Sequence, residues 1–173
     1  MDWISFFENW IWFGCAATGF AILFNVPKRT LIAIFFMGAL GGSVKLLIVH
    51  WNNSVVLGTL LGAAIIGFLS IYAAHFRHSP PFVFAIPAVI PMVPGSYAYN
   101  TMKGIIRLTN NTGTADFVAL LNETVTKGLL TLFVLMAIAV GVVAPMLLTR
   151  RDSAKEIKVP LPHFKQEKTA KEK

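Results

Sequence analysis

Four stretches of this sequence, Trp3 to Asn25, Thr30 to His50, Ser54 to Ala74 and Gly128 to Leu148, are apolar along their length, and none holds more than one formal charge. About 20 such residues in a helix are what a bilayer crossing needs. In water, a helix that is apolar on every side has to be buried within a large polar shell. Only 13% of the 173 residues are charged, against about 25% in soluble domains, so no such shell exists. The pattern predicts an all-α integral membrane protein and excludes a soluble globular domain.

The chain opens Met1-Asp2-Trp3 and reaches Glu8 before any lysine or arginine, unlike the basic start of a secretory signal. The first span is therefore expected to be retained. Cys15 is the single cysteine, which rules out an intrachain disulfide or a cysteine-rich metal cluster.

Orientation follows from the basic loops, which stay in the cytoplasm. Lys28 and Arg29 follow the first span, Arg77 follows the third, and a basic cluster begins at Arg150, whereas "HWNNS" between the second and third spans has no formal charge. The alternation predicts an outside N-terminus, a cytoplasmic C-terminus and about five crossings. The fifth must be Phe82 to Leu108, on the order of 40 Å long if helical. Residues 1–149 read as the transmembrane domain. Residues 150–173 read as a disordered basic tail on the cytoplasmic face, held to anionic lipid headgroups rather than to nucleic acid.

The fourth crossing carries the most information. "FAIPAVIPMVPGSYAYN", Phe84 to Asn100, places Pro87, Pro91 and Pro94 at helical spacing on one side, where they free the carbonyls of Val83, Pro87 and Ile90. Lipid cannot satisfy those acceptors, so that side must meet protein or water. Gly95 permits a turn, and Ser96 is expected to cap a second half-helix through Tyr97 and Asn100, with its N-terminus near mid-membrane. Such a terminus favours an anionic substrate group. The candidate binding residues are Gly95, Ser96, Tyr97 and Asn100, together with Lys45, whose ammonium either snorkels outward or lines a polar path, and Asn122 in the last helix. A packing kink without a ligand is the competing reading. Small residues at intervals of four, including Gly38 and Gly42, Gly58 and Gly62, Ala63 and Gly67, and Ala137 and Gly141, predict tight helix contacts.

Enzyme chemistry finds little support. "PGSY" and "GGSV" lack accompanying triad residues, two histidines, His75 and His78, do not complete a metal site, and no phosphate-binding "GxxxxGK[ST]" occurs. No cofactor, no metal and no catalytic residue is expected. Glu123 and Lys127 have the favourable order for a helical ion pair.

"GFAILFNVPKRTL", Gly19 to Leu31, and "FAIPAVIPMVPGSYAYNTM", Phe84 to Met102, resemble two signature stretches of the small-subunit, YjjB-like branch of the threonine/serine exporter (ThrE) family, with similarity from about Trp3 to Leu148. The resemblance implies a bacterial inner-membrane exporter subunit that acts with a larger YjjP-like membrane subunit, and it allows a higher oligomer. It also implies a small carboxylate substrate, either succinate or threonine and serine. The family pattern matches here at Asn25, Val26 and Pro27, at Pro87 to Asn100, and at Asn122. A scaffold that stabilises a partner transporter without lining its path is the alternative.

Overall fold

The computed structural model describes residues 3–110 and 117–149. The tail at 150–173, with its expected disorder, lies outside the described residues. The helices are α1 (Trp3–Leu23), α2 (Leu31–Asn52), α3 (Val55–Arg77), α4 (Phe82–Val89), α5 (Gly95–Asn110) and α6 (Phe117–Thr149), with short 3-10 turns at Lys28–Thr30 and Ile90–Met92; the described residues contain no strand. Four helices are long and apolar enough to cross a membrane. The pair α4–α5 makes a fifth if counted as one span bent by 56°. The all-α bundle with a proline-broken fourth span is as the sequence predicts.

Local chemistry sets the ends. Asn25, Asn53 and His78 take the left-handed conformation, with φ of 55°, 54° and 50°, each at a helix end where the chain must turn. The Asn53 and His78 N–H groups donate to the Val49 and Ala74 carbonyls and close α2 and α3. Ser54 Oγ accepts from the Leu57 N–H and opens α3.

Neighbours run α1 against α2, α2 against α3, α3 against α6, and α6 against α5; α4 inserts among α1, α2 and α3. The core forms around that insertion, with Ile34, Ile66, Phe84 and Met92 fully buried among Ala17, Ala63, Ala85 and Ala88. The small residues allow the close approach. A Cβ on Gly141 would lie 2.7 Å from the Leu60 carbonyl oxygen, and one on Gly67 2.8 Å from that of Val142, so α3 and α6 touch backbone to backbone. The outer faces carry exposed Phe7, Trp12, Phe36, Leu61, Phe68, Leu132 and Met136, as helices solvated by lipid do.

Among the described residues no hydroxyl group hydrogen-bonds from one helix to another. Thr18, Ser43, Thr59, Ser70, Thr124 and Thr131 each donate to a carbonyl three or four residues back in the same helix.

Candidate functional site

Between α4 and α5 the helix is interrupted because Pro94 has no N–H to offer the Ile90 carbonyl. The Val93 N–H takes that carbonyl instead, at 3.0 Å, and Val93 continues extended with ψ 134°. The Ile90 acceptor is therefore satisfied within the turn, contrary to the expectation that it is left open. The Ala98 N–H then donates to the Pro94 carbonyl at 3.1 Å, which is the first bond of α5. Pro94 thus holds the cap position, and α5 begins at Gly95. Ser96 is the second residue of that helix and not its cap, because the Gly95 N–H turns back to the Val93 carbonyl at 2.9 Å and the chain makes its turn at Pro94, two residues earlier than a serine cap would place it. Among the described residues the Ser96 and Tyr97 backbone N–H groups have no hydrogen-bond partner, as is usual in a first turn.

The three prolines meet protein. Pro87 and Pro94 are buried and Pro91 is half-buried, with one side of α4 packed against α1, α2 and α3 and Phe82 and Ile86 exposed on the other. The break itself lies beside the middles of α2 and α3: a Cβ on Gly62 would come within 2.5 Å of Met92 Cε and 2.6 Å of the Gly41 carbonyl oxygen.

Lys45 reaches this point. Its Nζ donates to the Met92 carbonyl oxygen at 2.7 Å, so the ammonium turns inward to the break instead of snorkelling outward. Among the described residues this is the one side-chain hydrogen bond that joins residues more than four positions apart. Among the described residues no carboxylate pairs with it, and the one ion pair is Lys127 with Glu123 on α6. The ammonium carries three donors, and Lys45 is half-buried beside the carbonyl dipole it meets.

The remaining candidates separate. Gly95 is exposed, and a Cβ there would meet nothing within 4 Å, so the joint has room. Ser96 is exposed and Tyr97 half-buried, with the Tyr97 carbonyl accepting the Thr101 hydroxyl at 2.8 Å. Asn100 lines a small polar cleft of about 50 Å³ between α5 and α6 with Lys103, Arg107, Glu123, Thr124 and Lys127. Asn122 is exposed and does not line that cleft, because one residue of helical rotation turns it away from Glu123 and Thr124. The structure brings Asn100 together with Lys103 and Arg107, and Lys45 together with Met92; it does not bring Asn122 to either group. Sequence reasoning passed over Met92, since a carbonyl leaves no mark in residue type. The spacing of Asn100, Lys103 and Arg107 along one helix face was a usable signal for the cleft.

A family model described as "Threonine/Serine exporter, ThrE" matches residues 9–148, which takes in all but the first turn of α1 and the last residue of α6. An uncharacterized protein of Haemophilus influenzae is 35% identical over 136 residues, covering 79% of this chain and 45% of the relative. The chain thus spans less than half the length of that relative. No solved structure matches.

Proposed function

The chain belongs to the threonine/serine exporter family, and from that premise we propose that it is a membrane subunit of a two-component secondary exporter, moving a small carboxylate metabolite out of the cell. The observation that carries this reading is the family match, which spans the described helices and includes the broken span. A substrate carboxylate is received at the start of α5, by the Ser96 and Tyr97 N–H groups beside the exposed Gly95, with Lys45 supplying positive charge and Asn100 a side-chain contact. Asn122 contributes only through a surface completed by a partner.

That partner is a larger YjjP-like membrane subunit, and the branch is the small-subunit, YjjB-like one. Two observations favour a partner. Helix α5 packs on α6 while its Tyr99, Met102 and Ile106 stand exposed, and the relative carries more than twice the length of chain matched here. The setting is the bacterial inner membrane with the N-terminus outside and the C-terminus in the cytoplasm, supported by Lys28, Arg29 and Arg77. The buried prolines favour the scaffold reading as the second choice. The test is counterflow of labelled succinate, threonine and serine in proteoliposomes containing this chain with the candidate larger subunit. Flux that requires both chains and is lost in Lys45→Met supports the exporter reading; full flux with Lys45→Met leaves the scaffold reading in possession. Reporter fusions after Arg29 and at Lys173 should both read cytoplasm.

A further inference from the structure

We propose that Lys45 is a two-position latch, holding the Met92 carbonyl when no substrate is bound and exchanging it for the substrate carboxylate when one arrives. The idea rests on the carboxylate-export reading and adds to it how occupancy of the site is passed to the helices.

The exchange follows from what each partner offers. Lys45 Nζ makes its bond to a neutral carbonyl at 2.7 Å, with no acid paired to it among the described residues. A charge-assisted bond to a carboxylate is shorter and roughly twice as strong as one to a neutral acceptor, and it also neutralises a half-buried cation. A carboxylate therefore outbids the Met92 carbonyl wherever it can reach. The Ser96 and Tyr97 N–H groups, four and five residues past Met92 and without partners among the described residues, supply further donors for the same anion.

Release of Met92 acts on the joint. Met92 belongs to the 3-10 turn that ends α4, and Val93 is the extended residue between the turn and Pro94. Helix α4 is clasped by α1, α2 and α3, whereas α5 packs on α6. The Lys45 bond ties α2 to the last residue before the joint, and no other side-chain hydrogen bond among the described residues ties any two helices together. Nothing stands within 4 Å of a Cβ at Gly95, so no side chain blocks the joint itself, and a change in the 56° angle of α5 to α4 would carry α5 together with the α6 surface it packs on. Lys45 is thus both the anion ligand and the restraint that the anion removes.

The test uses spin-label distances in the full chain, in the same proteoliposomes that carry flux and with Cys15→Ala as background. One label pair at Leu47 on α2 and Met102 on α5 reads the joint; a control pair at Ile22 on α1 and Leu61 on α3 reads the bundle. Succinate, threonine and the uncharged diamide of succinate are the probes. The transported carboxylate should shift the Leu47–Met102 distribution and leave the control pair unmoved, and the diamide should do nothing. Lys45→Met should show the shifted distribution without substrate and no further response. Lys45→Gln, a neutral amide donor one atom shorter than lysine, removes the charge and should lose the response at least tenfold in substrate concentration. A carboxylate-dependent shift that survives in Lys45→Gln overturns the latch, as does an unmoved distribution in a preparation that transports the carboxylate. If none of the carboxylates is transported, the export reading fails and the latch falls with it; a control pair broadened in Lys45→Met leaves Lys45→Gln as the deciding variant.

Discussion

One proline-broken span gives two unlike halves. Helix α4 is apolar throughout and packs against α1, α2 and α3, with Phe84, Ala85 and Ala88, and Met92 of the turn that follows, lost from the surface. Helix α5 is amphipathic and packs on α6, with Tyr99, Met102, Ile105 and Ile106 exposed on one side and Asn100, Lys103 and Arg107 gathered on another. The difference teaches that the prolines divide labour. They end a helix packed against three neighbours and begin one that packs on α6 alone, and the proposed site lies where the two meet.

That contrast can be broken most severely at Phe84. Fully buried in α4, it should cost about 3–5 kcal/mol when cut to alanine, read as a large fall in the thermal midpoint of the purified protein. A Phe84→Ala protein of unchanged midpoint would mean that α4 is no anchor. Lys45→Met comes next, because it leaves the buried Met92 carbonyl without its donor; about 1–3 kcal/mol is expected, reduced by whatever the half-buried ammonium itself costs. Gly95→Ala tests the joint: with open space around the Cβ, it should stabilise by less than about 1 kcal/mol, chiefly by stiffening the unfolded chain. Any substantial loss would show that the joint is more crowded than the open space around Gly95 allows. Smallest of all, Met102→Ala on the exposed side of α5 should stay within about 0.5 kcal/mol in the isolated chain. The same substitution should weaken co-purification with a larger subunit, if that side is where the subunit docks.

Much of this fold was open to reading from residue types alone. Apolar length marked the spans, the glycine and alanine intervals marked the contacts at Gly38, Gly62, Gly67 and Gly141, and Pro87, Pro91 and Pro94 marked the break. Each of those signals is local, and local signals are what a linear pattern preserves. The meeting of Lys45 with Met92 is not local: it joins residues 47 positions apart, through a carbonyl that every residue possesses. The cap was misjudged for a related reason. Serine is favoured at caps by its side-chain oxygen, but the chain makes its turn at Pro94, two residues earlier. That α4 would be central and α5 peripheral was half visible in composition, since the first is apolar and the second carries Lys103 and Arg107; which neighbours each would choose was not.

The self-satisfied hydroxyls of Thr18, Ser43, Thr59, Ser70 and Thr124 bear on how such a bundle could work. With each of these groups paired inside its own helix, the contact of α3 with α6 is made by methyls, glycine backbone and the ring of Pro145 and not by hydroxyl bonds. Sliding along such a surface breaks no polar bond and strands no donor in hydrocarbon, so its friction is set by side-chain fit alone. Small sliding displacements between packed helices are a recognised form of domain motion. Among the described residues the one side-chain hydrogen bond between helices is the one at the joint, from Lys45 to Met92.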